Sequence, residues 1–200
     1  DGVTGMVAGW APGALPVEFP PGYGMPLEPN DRLVLQMHYY QSGPGVVGLA
    51  DQSSYAFRTT DSVDHTVLMY PLGTTNFVIP AGNPNYSHSF EFEMPEFLSF
   101  KILAAFPHMH ILGSGYKMYV DSPSEGRQCV VESDRYDFDN QQTYRLKEPI
   151  QVNGGDTLGF ECTWDNSADN PDQLFDEPQD IRYGERTNEE MCFSFTLVGL

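Results

Sequence analysis

Two histidines, His108 and His110, stand one residue apart in the apolar run "AAFPHMHILG" at 104–113. In a strand, residues i and i+2 project from one face about 6.8 Å apart, a separation two imidazoles can close onto one metal ion. A core or a surface also produces such a pair by chance, so the spacing needs a further donor before it means chemistry. "GERTNEEMC" at 184–192 contains one in the thioether of Met191. Methionine ordinarily fills gaps in cores. Beside two imidazoles, however, its sulfur makes a soft donor set that favours copper over magnesium or calcium and tolerates Cu(I). A copper ion with two imidazoles and one weak thioether keeps positions open for O2, the metal supplying reactivity and the protein placement.

These residues need a scaffold of strands. "LVLQMHYY" (33–40), "SYAFRTT" (54–60), "TVLMYPL" (66–72), "SHSFEFEM" (87–94), "SFKILAAF" (99–106), "YKMYV" (116–120), "TLGFECTW" (157–164) and "CFSFTLVGL" (192–200) are short, rich in β-branched or aromatic residues and often alternating. "GSG", "NGGD", "PAGNPN" and "PSEG" between them carry turn chemistry. With 16 prolines and 19 glycines, no dozen residues keep a helical period. The pattern predicts an all-β sandwich or barrel. Residues 11–29 hold too much Pro and Gly for ladder pairing and read as an extended, ordered loop. Residues 165–190 read as a long acidic loop, of a length that is usually functional or disordered. The best candidate for a domain linker is 41–52.

Composition excludes several partners. No run reaches the roughly 18 apolar residues of a membrane-spanning helix, which predicts a soluble chain. A formal net charge of −18 repels nucleic acid and anionic lipid. The chain opens at Asp1 in a Gly-rich phrase and reads as a mature or cut piece. Three cysteines, Cys129, Cys162 and Cys192, without zinc-like spacing, are most simply one disulfide and one remaining thiol in an oxidising compartment, secreted or periplasmic. Cys192 could pair with Cys162, a bridge worth roughly 3.5 to 4 kcal/mol by chain entropy that would also hold Met191. Cys129 reads as a buried strand residue or as the partner of a cysteine upstream. His65 and His88 have no Ser or Cys partner in motif context and read as surface or structural. Asn85-Tyr86-Ser87 is a glycosylation sequon, used only in a eukaryotic secretory route.

Four ordered phrases, "LQMHYY", "PHMHILG", "GDTLGFECTWDNS" and "GERTNEEMC", resemble the copper type II, ascorbate-dependent monooxygenases, the family of peptidylglycine α-hydroxylating and dopamine β-monooxygenases. "WAPG" at 10–13 is similar to bacterial members in particular. The resemblance runs over nearly the whole chain. It implies two jelly-roll sandwiches, residues 1–44 being the end of the first and 45–200 the second. It implies that His108, His110 and Met191 ligate the copper that binds O2 and hydroxylates. It places His38 among three ligands of a second, electron-storing copper reduced by ascorbate, Gln36 near the route between the metals, and Cys162 with Cys192 in a disulfide. The implied partners are O2, a small-molecule substrate and an upstream domain of the same chain.

The departures bear on substrate. The storage copper's other two ligands form a His-His pair in the family, and no His-His occurs here. Where the peptide-hydroxylating member grips a peptide carboxylate with an arginine and an asparagine, this chain has Phe106 and Phe193, and an expected tyrosine is Phe195. Strand periodicity puts Phe106 on the face of His108 and His110, and Phe193 and Phe195 on the face of Met191. These rings are either ordinary core or the wall of a pocket for a small apolar or aromatic substrate. Two other classes stay open: a copper-binding module without turnover, and a calcium-stabilised adhesion domain using the acidic residues of 165–180.

Overall fold

Alternation along the strands sets the layers. In "YSHSFEFE" every second side chain, from Tyr86 to Phe92, is partly buried and the intervening Ser and Glu are exposed. This is the period-2 pattern of a sheet with one wet face. The computed structural model describes residues 5–11, 13–39 and 44–200. Its strands are β1 (Tyr23–Gly24), β2 (His65–Thr74), β3 (Val78–Ile79), β4 (Tyr86–Glu93), β5 (Ser99–His108), β6 (Gly113–Ser122), β7 (Gly126–Ser133), β8 (Tyr144–Asn153), β9 (Thr157–Trp164), β10 (Ile181–Arg182) and β11 (Cys192–Gly199). Among the described residues the helical content is a single 3-10 turn, Pro44–Val46, and no helix is long and apolar enough to cross a membrane.

The strands form a five-stranded sheet in the order β1-β2-β11-β5-β8, a four-stranded sheet in the order β4-β9-β6-β7, and a two-stranded ribbon of β10 and β3. The protein is an all-β sandwich. From β4 to β9, successive strands pass between the two large sheets except at the hairpin β6–β7. Trp164, Phe160, Ile102, Met109, Met118 and Leu158 are fully buried in the main core. A disulfide between Cys162 on β9 and Cys192 on β11 links the two sheets, with Cα atoms 6.0 Å apart.

The five-stranded sheet is covered on its outer face as well. Val67, Met69, Leu103, Ala104 and Leu197 are buried there beneath Met6, Val17, Phe19, Tyr23 and Met25 of the Pro-rich N-terminal segment. That segment is an ordered loop, but it also makes a two-residue parallel ladder, Tyr23–Gly24 with His65–Thr66, which its composition did not predict.

Several expectations need correction. Residues 33–39 are not a strand: they are extended, pair with nothing among the described residues, and leave Val34 83% exposed. Tyr40 and residues 41–43 of the expected linker lie outside the described residues, as do 1–4 and Pro12 of "WAPG". Residues 54–60 are likewise unpaired, with Tyr55 and Phe57 exposed. A β-prone run becomes a strand only where a neighbour completes its ladder. Conversely, β7 and β8 were missed because both are edge strands. Their sequences, "GRQCVVES" and "YRLKEPIQVN", carry the charges and the proline that edges tolerate and central strands do not. Cys129 lies on β7 as a free thiol and is exposed, not buried. The acidic loop is ordered: the buried Asn166 amide donates to the carbonyls of Pro80 and Gln179 at 3.0 and 2.9 Å.

The inter-sheet disulfide closes a 30-residue separation, and chain entropy assigns such a closure about 3 to 4 kcal/mol. Replacing Cys162 and Cys192 together by Ala should lower unfolding stability in urea by about that amount. An unchanged urea midpoint would show that the bridge does not constrain the unfolded chain.

Candidate metal centre

β5 and β11 run antiparallel at the centre of the five-stranded sheet, with Phe193 opposite His108 and Phe195 opposite Phe106. The ladder ends at this pair, and His110 and Met191 lie just beyond it, after β5 and before β11. Met109 and Cys192 point into the main core, so the residues on either side of them face outward. The rings on that outer face pack together. His108 lies 5.2 Å from His110, edge to face, 5.7 Å from Phe195 and 6.3 Å from Phe106. Phe138 meets His110 edge-on from the β7–β8 loop at 6.3 Å. Phe106 and His110 are buried, whereas His108, Met191, Phe193 and Phe195 are half-buried.

Both histidines have one nitrogen committed. His108 Nδ1 is 2.8 Å from Gln141 Oε1, and His110 Nδ1 is 2.9 Å from the Glu189 carbonyl. Gln141 is buried, and its amide nitrogen donates to Phe138 O at 2.9 Å, which fixes its oxygen on His108. Each acceptor is a carbonyl oxygen, so each Nδ1 carries the proton and donates. The lone pairs are thereby left on the two Nε2 atoms, the arrangement by which a ligating imidazole is oriented and made basic. Burial holds the His108 imidazole down at about 4 against the bond to Gln141, and lowers that of His110 as well. Both are therefore neutral, the form that binds a metal. Among the described residues no three His, Cys, Asp or Glu side chains converge on one point. A metal held by this pair would have to take any further donor from outside those four residue types.

Behind the pair lies Glu190, fully buried. Its Oε2 accepts from the backbone N–H of His110 at 2.9 Å, from the Trp164 indole at 2.9 Å and from the Met191 N–H at 3.2 Å, and its Oε1 accepts from Leu112 N–H at 2.8 Å. Burial pushes this carboxyl up to about 7, against four N–H groups that favour the ionised form. One side chain thus ties the His110 turn, the residue before β11 and the core tryptophan together. Tyr136 holds the residue between the histidines: its hydroxyl donates to Met109 O at 2.8 Å and accepts from Met109 N–H at 3.0 Å.

Gln36 and His38 lie elsewhere in the chain's architecture. They sit on the extended, exposed segment 31–39 and not on a strand, with Gln36 Nε2 2.7 Å from His38 Nε2. Glu190 stands in the phrase that drew attention to Met191. Gln141 and Tyr136 had no local signal, because only the folded chain carries the β7–β8 loop over the histidines. The N-terminal segment braces that loop where Gly13 O accepts from Gln142. Gly13 has φ 79°, and a Cβ there would meet Asn140.

Residues 66–197 match the family model described as the copper type II ascorbate-dependent monooxygenase, C-terminal domain. The chain belongs to that family, and the family is copper- and ascorbate-dependent. It is also similar to DBH-like monooxygenase protein 2 of Mus musculus, 24% identical over 205 residues that cover 95% of this chain and 32% of that protein. The chain thus spans about a third of the length of this relative. His108, His110 and Met191 fall within the span matched by the family model, whereas Gln36 and His38 precede it.

Glu190→Ala leaves four buried N–H groups without an acceptor and should cost at least about 3 kcal/mol in urea unfolding, while Glu190→Gln, which keeps one acceptor, should cost less. Equal and small losses would show that the carboxylate organises nothing. In the metal-free protein, His108 is held at about 4 from an ordinary 6.5. Below pH 6.5 the unfolded chain takes up a proton that the folded one refuses, so the stability from this group is present at neutral pH and drains away as the pH falls toward 4. Glu190 is common to wild type and His108→Gln, so their difference isolates the imidazole. Wild type should lose about 2 kcal/mol relative to the variant between pH 7 and 4.5, after allowing for partial exposure of the ring. A pH-independent difference in chemical unfolding would contradict the burial argument.

Proposed function

We propose that His108 and His110, through Nε2, and Met191, through its sulfur, hold one copper ion on the outer face of the sandwich, and that the complete protein uses it to hydroxylate a C–H bond. The observation that carries this reading is the pair of fixed tautomers: both Nδ1 atoms donate to carbonyl oxygens, and two neutral Nε2 atoms remain. The donor chemistry fits, since two imidazoles and a thioether suit a soft, redox-active ion. Copper so bound would supply O2 activation with electrons from ascorbate or a similar reductant. The chain's own residues orient the ligands. Gln141 and the Glu189 carbonyl fix the rings, Tyr136 and Glu190 fix the backbone between and behind them, and His110 and Met191 lie just beyond the end of the β5–β11 ladder.

Phe106, Phe193 and Phe195 line the approach with apolar and aromatic surface, which favours a small apolar or aromatic substrate and speaks against amidation of peptides. His38 would be one ligand of a second copper, with Gln36 beside it, completed by histidines from an upstream domain to which residues 1–44 would belong, with 45–200 as the copper domain. The inter-sheet disulfide supports a secreted or periplasmic setting.

X-ray absorption of the Cu(I)-loaded protein under ascorbate tests the centre. Wild type should bind one copper tightly with a sulfur neighbour, and Met191→Ile should lose the sulfur while keeping both imidazoles. Copper without sulfur in wild type would overturn the assignment. A copper–sulfur site in a full-length protein that consumes no O2 with ascorbate would make this a binding module and not an oxygenase.

A further inference from the structure

A second concave site lies on the same molecule, built from residues the metal centre does not use. Between the end of β2, the β3–β10 ribbon and the start of β4 is an open cleft of about 580 Å³, lined by Thr75, Asn76, Phe77, Tyr86, His88, Arg182 and Tyr183, with Val78. That volume falls in the range of small-ligand sites. Its floor is aromatic and rigid. Phe77 stacks on the buried Trp164 at 4.9 Å, Tyr86 stacks on the same indole at 6.1 Å, and His88 leans on Phe77 at 6.1 Å. Such flat, preorganised faces suit a flat guest.

Charge narrows the guest further. The chain carries 28 acidic residues against 10 Lys and Arg, yet none of the cleft's residues is acidic. Arg182 pairs with Val78 in the ribbon, next to Ile181, which points into the core. Alternation therefore turns its side chain toward the cleft. The ion pairs among the described residues engage Arg127, Arg145 and Lys117, and not Arg182. In a protein that repels anions over most of its surface, a guanidinium without a carboxylate partner, beside amide and hydroxyl donors of Asn76 and Thr75, is a local attractor for one planar anionic group. Tyr183 carries the cleft toward the metal face, its ring 5.9 Å from that of Phe193.

We infer that this cleft binds a flat organic monoanion, its charged group on Arg182 and its ring on the partly exposed His88 and Tyr86, which Phe77 and Trp164 back from the core. Two sources share that chemistry, an aromatic carboxylate and an enediolate reductant of the ascorbate kind. The inference does not depend on copper at His108, His110 and Met191.

Calorimetric titration of the copper-free protein, without oxygen, separates the outcomes, with benzoate, its neutral counterpart benzamide, and ascorbate as probes. At least one of the two anions should bind saturably. If benzoate binds, benzamide should bind at least tenfold more weakly. Arg182→Gln should weaken whichever anion binds at least tenfold, and Arg182→Lys should fall between. Met191→Ile should bind like wild type, which separates this site from the metal centre. Binding of benzoate alone identifies a carboxylate site, and binding of ascorbate alone a reductant site. No saturable binding of either anion, or binding that Arg182→Gln leaves unchanged in a protein whose circular dichroism matches wild type, overturns the inference.

Discussion

The Glu190 carboxylate is the constraint on which the candidate centre rests. Four N–H groups from three separate parts of the chain converge on it: the turn that carries His110, the end of β9 at Trp164, and Met191, the residue before β11. A buried carboxylate is costly unless its oxygens are saturated with donors, and these are. Remove it and each donor must find another acceptor in a tightly packed interior. The disulfide from Cys162 to Cys192 lies two residues from both Trp164 and Glu190, so a covalent link and a buried carboxyl group fasten the same junction between the sheets.

That junction explains how a sandwich can present soft ligands at one face. Strands alone would hold His108 only by register, and His110 and Met191 lie beyond the ends of β5 and β11. The turn is kept in place from behind by Glu190 and from the side by Tyr136, while Gln141 and the Glu189 carbonyl choose the ring nitrogens. The rings are therefore held in place by the folded chain itself, which would reduce the cost of binding a metal there.

Much of this was legible in the chain. Central strands such as 99–106 and 157–164 stand out as apolar, β-prone runs because both of their faces are largely covered. The His-x-His spacing and the methionine before a strand are local patterns, and the two cysteines flank the same motifs. What could not be read is what depends on neighbours far along the chain. The runs at 33–39 and 54–60 have strand-like residues but no ladder among the described residues, while β7 and β8 have edge-like residues and do have one. Gln141 is an unremarkable glutamine until the β7–β8 loop folds over His108, and the cation of the cleft, Arg182, lies in what read as an undifferentiated acidic loop.

The central claim is that both histidines are fixed with the proton on Nδ1 and the metal-binding lone pair on Nε2. Two-bond proton–nitrogen correlation spectra of the histidine rings, recorded on the metal-free protein and again after one equivalent of Cu(I), test it directly. The account predicts protonated Nδ1 in His108 and His110 before copper, and a large displacement of both Nε2 signals afterwards with Nδ1 nearly unmoved. A proton on Nε2 of either ring in the metal-free protein, or copper-induced movement of Nδ1 instead, would contradict it.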